Sequence, residues 1–149
     1  MGSTNEVRHL EALPIVETPD PRDVQYLDDR IYEYNVARTG IADARLLAII
    51  LRDDGGEIVA GLYGWTWGRT CEVRTLWVHE RWRGRRLGTR LLEAAESEAR
   101  ERGAVQIVLS THDFQAPAFY RRFGYQTVGQ VDDYPMGHRS IHLRKRLRR

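Results

Sequence analysis

Between Glu80 and Thr89 the chain reads ERWRGRRLGT, and those residue types in that order make an anion site. Arg81, Arg83, Arg85 and Arg86 surround Gly84 in a turn that leads into a helix starting near Gly88. The first turn of a helix carries unpaired backbone amides and the positive end of the helix dipole. Gly84 and Gly88 have no Cβ to hold a ligand away from that backbone, and arginines add charge-assisted hydrogen bonds that suit a pyrophosphate. The chemistry indicated is the binding of a phosphate-bearing ligand. A solvated basic turn with a capping glycine has the same composition, so the turn alone does not decide. Neither nucleotide fingerprint fits: Gly-x-x-x-x-Gly-Lys-Ser/Thr is missing and Gly-x-Gly-x-x-Gly cannot be placed.

A strand has to feed this turn and a helix has to leave it, and the flanking residues supply both. ARLLAIILRDDGGEIVAGLYGWTWGRTCEVRTLWVHE reads as an antiparallel meander of three strands, ending at Leu51, Trp67 and His79, with turns at Asp53–Gly56 and Gly68–Arg69. After the turn, Leu87, Leu91, Leu92, Ala95 and Ala99 form one apolar stripe. Glu96–Arg100 and Glu98–Arg102 sit at i,i+4 with glutamate first, and Gly103 ends the helix. VQIVLS is then a buried strand parallel to the one before the helix. FQAPAFYRRFGY is a second helix, with Pro117 in its first turn and Gly124 at its end, and QTVGQV and SIHLRKRL are closing strands joined by DDYPMGHR.

Upstream, Leu10–Glu17 suits a short strand, and Asp20 with Pro21 starts a helix carrying Val24, Leu27, Ile31 and Tyr34 to an end near Thr39–Gly40. The expected fold is α/β (α+β, mixed sheet), a single domain over residues 1–149, with six to seven mostly antiparallel strands and helices on both faces.

Composition narrows the classes. With 149 residues the chain is one ordinary domain, and 23 basic against 21 acidic residues leave a net charge of +2, too little for a global field toward nucleic acid or a membrane. One cysteine, Cys71, cannot make an internal disulfide, and with five scattered histidines it offers no metal-ligand spacing, so no metal is expected. MGSTNEVRHL has no signal-type apolar run and no segment reaches membrane-span length, so the expected setting is the cytoplasm.

Arg81-Trp82-Arg83-Gly84-Arg85-Arg86, followed by Leu87-Gly88-Thr89-Arg90-Leu91-Leu92, resembles the phosphate motif Gln/Arg-x-x-Gly-x-Gly/Ala of the GNAT superfamily of acyl-CoA-dependent N-acetyltransferases. Arg86 stands where that family favours Gly or Ala. Asp113 to Tyr125, DFQAPAFYRRFGY, resembles the family's second motif, Asn-x-x-Ala-x-x-aromatic/Leu-Tyr-x-x-x-Gly-Phe/Tyr, with Asp113 in place of Asn. The Thr-His-x-Phe-Gln-Ala-Pro segment is also similar to that of a group of small bacterial members.

The resemblance implies acetyl-CoA as cosubstrate, bound by the turn from Arg83 through Gly84, Arg85, Arg86, Leu87 and Gly88 to Thr89. It implies a parallel strand pair splayed apart, where backbone groups of Leu76, Trp77 and Val78 hold the pantetheine and polarise the thioester carbonyl. The partner implied is an amine acceptor. Glu72 takes the place of the family's general base, and by strict alternation it shares a sheet face with Arg74, Leu76 and Val78; an ion pair with Arg74 or Arg69 is its structural alternative. His112 is the second candidate base. Tyr120 takes the place of the tyrosine that protonates the departing thiolate, unless it is simply a core ring beside Phe119 and Phe123.

Asp132, Asp133, Tyr134 and His138 lie in the loop where the family often meets its acceptor, and carboxylates there would attract a cationic amine. Tyr63, Trp65 and Trp67 form a stripe suited to a core or dimer contact. Family members are often dimers, and the assembly stays open. Two other classes remain: a GNAT-like protein that binds acyl-CoA without turnover, and an RNA or polyanion module using the Arg144–Arg149 tail, against which the near-neutral charge and the absence of interleaved aromatics both count.

Overall fold

The computed structural model describes residues 13–148. Its elements are α1 (Pro21–Thr39), β1 (Arg45–Arg52), β2 (Ile58–Trp67), β3 (Thr70–Val78), a 3-10 turn (Glu80–Trp82), α2 (Leu87–Glu101), β4 (Gln106–His112), α3 (Pro117–Arg122), β5 (Gln126–Asp132) and β6 (Arg139–Arg146). They fall into two compact units, one ending at Gly40 and one starting at Ile41.

In the first unit, α1 starts where its cap predicts: Asp20 accepts from the Arg22 amide at 2.9 Å and Pro21 opens the helix. Gly40 ends it in the left-handed conformation, φ 72°. No residue of α1 is buried, the stripe Val24, Leu27, Ile31 and Tyr34 included. The strand expected at Leu10–Glu17 does not form over Leu13–Glu17, where every residue is exposed and none of the described strands pairs with it, while residues 10–12 lie outside the described residues.

The second unit holds a mixed six-stranded sheet in the order β1-β2-β3-β4-β6-β5, antiparallel except for β3 beside β4. The meander turns as its glycines predict, with Gly56 (φ 85°) and the pair Gly68 (φ 53°) and Arg69 (φ 70°) supplying the left-handed residues that tight hairpins need. Leu91, Leu92, Ala95 and Ala99 of α2 join Leu62, Cys71, Val73, Ile107, Leu109 and Leu143 of the sheet in one buried cluster, which Tyr120 of α3 and Tyr125 also enter. The two helices therefore cover the same face. Inside this core Glu96 is buried and takes Lys145 Nζ on both carboxylate oxygens at 2.8 Å, with the Tyr125 hydroxyl donating at 3.3 Å. Lys145 is the only lysine of the chain.

One irregularity shapes the site. Tyr63 lies opposite Thr75 but Gly64 lies opposite Val73, so Arg74 is an extra residue in β3, a β-bulge. A Cβ on Gly64 would run into the Glu72 carbonyl oxygen and come within 3.1 Å of the Val73 Cα, which is why glycine sits there. The bulge reverses the strand's alternation. Cys71 and Val73 face the core before it; after it, Leu76 opposite Leu62 and Val78 opposite Ala60 face the core. Glu72, opposite Trp65, therefore points to the other side from Leu76 and Val78, and the common face expected from strict alternation is corrected by this insertion.

Candidate active site

The parallel pairing of β3 with β4 runs only from Thr70 to Val73 and from Gln106 to Leu109. Beyond it β3 stays with β2 as far as Val78 and β4 stays with β6 as far as His112. Each strand follows its antiparallel neighbour from the bulge onward, and the sheet opens into a V. A cleft of about 860 Å³ fills the V. Its walls are Val73–Val78, Trp82, Arg83, Gly84 and Arg86–Thr89, Leu109–Thr111, Phe114–Ala116, and Phe119, Tyr120 and Arg122 of α3. That is ample for a cofactor-sized ligand. Along the open edge of β3, backbone amides and carbonyls are available to an extended ligand as they would be to another strand.

At one wall lies the arginine turn. His79 Nδ1 accepts the Arg81 amide at 3.1 Å, the Trp82 amide donates to the His79 carbonyl, and Gly84 takes φ 75°. Arg86 stands at the N-cap of α2 with φ 60° and ψ 19°, and no side chain among the described residues caps the helix. The first amides of α2 are thus unclaimed where Leu87, Gly88 and Thr89 line the cleft, the arrangement that favours an anion.

Position 86 is left-handed, a conformation glycine takes without a Cβ penalty; arginine accepts roughly 1 kcal/mol of strain to hold it. The arginines divide the work. Arg86 and Arg83 reach the cleft, Arg83 Nε also donating to the Val78 carbonyl at 3.1 Å, whereas Arg85 lies over the Trp82 ring at 4.8 Å and is not part of the lining. The Gly88 Cα faces α3: a Cβ on it would lie 3.6 Å from the Phe119 ring, an ordinary contact.

Leu76, Trp77 and Val78 all line the cleft. Tyr120 lines it too and is 7% exposed, its ring set edge-on to Phe119 at 5.1 Å and Tyr125 at 5.8 Å. Burial raises its phenol pKa. Among the described residues nothing hydrogen-bonds its hydroxyl, and no fully buried polar side-chain atom lacks a partner, so the hydroxyl opens onto the cleft. Tyr120 is a core ring whose hydroxyl faces the cleft.

Glu72 is not brought into the lining. His112 also stays outside it, with Nδ1 3.1 Å from Gln115 Oε1 and its ring stacked on Phe114; Gln115 and Phe114 do line the cleft. At the end of β5 Asp132 accepts from Gln130, and in the β5–β6 loop Asp133 accepts the Gly137 amide; both donors are neutral, so the two carboxylates keep their charge. Asp113 binds His138 at 3.2 Å and has Arg139 Nε at 3.8 Å. Lost hydration works to raise its pKa, but the Arg139 amide, His138 and the Phe114 amide together hold its carboxyl below the usual value. Tyr63 and Trp65 meet edge-on at 6.2 Å outside the cleft.

Trp82, Phe114, Gln115, Phe119 and Arg122 were not singled out as site residues by sequence. Phe119 and Arg122 flank Tyr120 inside the second motif, where helical spacing at i,i+3 already puts them on one side of α3.

Residues 7–125 match the sequence profile of the acetyltransferase (GNAT) family. The chain is 40% identical over 117 residues to the blasticidin-S acetyltransferase of Streptomyces morookaense, covering 74% of this chain and 84% of that protein. It is 34% identical over 119 residues to an acetyltransferase of Agrobacterium fabrum, covering 80% and 87%. Among solved structures, an acetyltransferase from Bacillus cereus aligns with a TM-score of 0.72 at 28% identity, over 90% of this chain and 98% of that one.

Proposed function

The chain belongs to the acetyltransferase (GNAT) family and is an acyltransferase, and from that premise we propose that it transfers an acetyl group from acetyl-CoA to a primary amine by direct attack on the thioester. The observation that carries this reading is the meeting, in one cleft, of an uncapped helix start, an unpaired β3 edge and the Tyr120 hydroxyl. Pyrophosphate oxygens accept from the Leu87–Thr89 amides and from Arg86. The pantetheine lies along Leu76–Val78 and brings the thioester into the V, where β3 amides stabilise the carbonyl oxygen as it gains charge.

The amine nitrogen bonds to the carbonyl carbon and the carbon–sulfur bond breaks. Tyr120 donates a hydrogen bond to the sulfur that leaves. An amine of pKa ~10.4 is almost wholly protonated at neutral pH and has to lose a proton before it attacks. We assign that proton to Glu72, acting directly or through water on an amine that enters the V from the sheet face Glu72 occupies, opposite to α2 and α3. The test is a screen of primary amines with acetyl-CoA, following thiol release and identifying the acetylated amine by mass. Blasticidin-S belongs in the screen because the Streptomyces morookaense relative carries its name. Acetyl-CoA binding with no thiol release for any amine would replace this reading with non-catalytic binding.

A further inference from the structure

Four rings gather where β4 ends. His112 stacks on Phe114 with centroids 5.2 Å and planes 16° apart, His138 meets Phe114 at 4.9 Å and 78°, and Tyr134 meets His112 at 5.4 Å and 77°. Two elements supply them, the segment after β4 and the β5–β6 loop, and the loop is tied down by His138 on Asp113 at 3.2 Å and by the Tyr134 amide on the His138 carbonyl at 3.2 Å. Gln115 Oε1 takes both the amide and Nδ1 of His112, at 2.8 and 3.1 Å. Phe114 lines the cleft and is still 56% exposed, and Tyr134 is 59% exposed.

An apolar ring left half in water at a cleft wall is a contact waiting for a partner, and rings already fixed by their neighbours lose little freedom when one arrives. Asp113 is paired with His138, while Asp132 and Asp133 accept from neutral amides and keep their charge for the amine end of an acceptor; what this corner adds is its rings. Its rings are spaced and inclined as aromatic pairs prefer, and a further ring extends the set.

Resting on the function proposed above, we propose that His112, Phe114, Tyr134 and His138 form the acceptor subsite, and that the acceptor carries its primary amine on a flat aromatic body. The probes are 2-phenylethylamine and 2-cyclohexylethylamine, which place the same amine at the same reach behind a flat and a puckered ring. With saturating acetyl-CoA, thiol release should show kcat/KM about 3- to 10-fold higher for the phenyl compound, the size of an aromatic pair beyond its buried area.

Phe114→Leu, which keeps an apolar side chain but no flat face, should bring that ratio within about 2-fold while leaving KM for acetyl-CoA unchanged, and Tyr134→Leu should lower the ratio in the same direction. Equal rates for the two amines overturn this inference and leave the proposed function standing. So does a Phe114→Leu enzyme that keeps the parental ratio, or one whose only change is a raised KM for acetyl-CoA, which would put Phe114 against the cosubstrate. If no amine of the wider screen releases thiol, the proposed function falls. The subsite is then read from NMR line broadening of the two amines on CoA-loaded protein, where equal broadening, or none, overturns it.

Discussion

Replacing Tyr120 by Phe separates its two roles. The ring is 7% exposed and packs on Phe119 and Tyr125, and Phe keeps those contacts. The hydroxyl has no hydrogen-bond partner among the described residues, so removing it should alter stability by no more than ~0.5 kcal/mol. The catalytic loss follows from the acidities. A phenol of pKa ~10 giving its proton fully to a thiolate whose acid has pKa ~8.5 runs uphill by roughly 2 kcal/mol, and burial raises the Tyr120 pKa further. In the proposed role, Tyr120 would therefore donate a hydrogen bond and keep its proton.

A hydrogen bond to a charged acceptor contributes about 1.5–3 kcal/mol, which sets the fall in kcat at roughly 10- to 150-fold. The folded pKa lies above the unfolded one, so the phenol stays protonated throughout the range below ~10 and its ionisation leaves no inflection there. Steady-state kcat, acetyl-CoA affinity by calorimetry and Tm by fluorescence complete the assay. A Phe enzyme that turns over at the parental rate refutes the donor role, and a Tm lower by many degrees shows that the hydroxyl holds the core together.

Arg86→Gly relieves a left-handed arginine but loosens the unfolded chain by a comparable amount, so Tm should hardly move while acetyl-CoA affinity by calorimetry falls less than about 10-fold; complete loss of binding would mean the side chain dominates the phosphate site. Glu72→Gln should lower kcat/KM by ~10²-fold near neutral pH and recover in part at alkaline pH, where the amine loses its proton unaided, and a loss uniform across pH would remove Glu72 as the base. Burial pushes the Cys71 thiol from 9.0 up to about 11, so its folded pKa exceeds its unfolded one: the stability it contributes is complete below pH 9 and is lost as pH rises toward 11, about 3 kcal/mol in all. Urea midpoints should fall across that window and fall less steeply in Cys71→Ala, and parallel slopes in the two proteins would contradict the assignment.

Local chemistry was readable from residue order where it settles conformation by itself. Asp20–Pro21, Gly40, the Gly68–Arg69 turn, Gly124 and the stripe from Leu91 to Ala99 each act within a few residues, and each sits where expected. The bulge at Arg74 was not readable, because it depends on Gly64 ten residues earlier in another strand accepting the Glu72 carbonyl against its Cα. With it went the facing of Glu72. Glu96 reads as one half of a surface i,i+4 pair with Arg100, yet it is buried because Lys145, on β6, supplies the countercharge. Arg86 marked a departure from the family pattern, but only its φ of 60° says what that departure costs. The ring cluster at His112 joins residues from two separated segments and leaves no spacing to find.

Calorimetric titration with CoA and with pantetheine tests the central claim most directly, because the two ligands share the arm that would lie along β3 and differ in the phosphates assigned to the turn. CoA should bind at least about 100-fold more tightly than pantetheine, as two or more charge-assisted phosphate contacts of roughly 1.5 kcal/mol or more require. The advantage should shrink as salt rises, and Gly84→Asp, which sets a carboxylate where φ is 75° and the Cβ direction is open, should abolish it. CoA and pantetheine binding equally well to the parental protein would contradict the phosphate site, and with it the placement of acetyl-CoA in the V between β3 and β4.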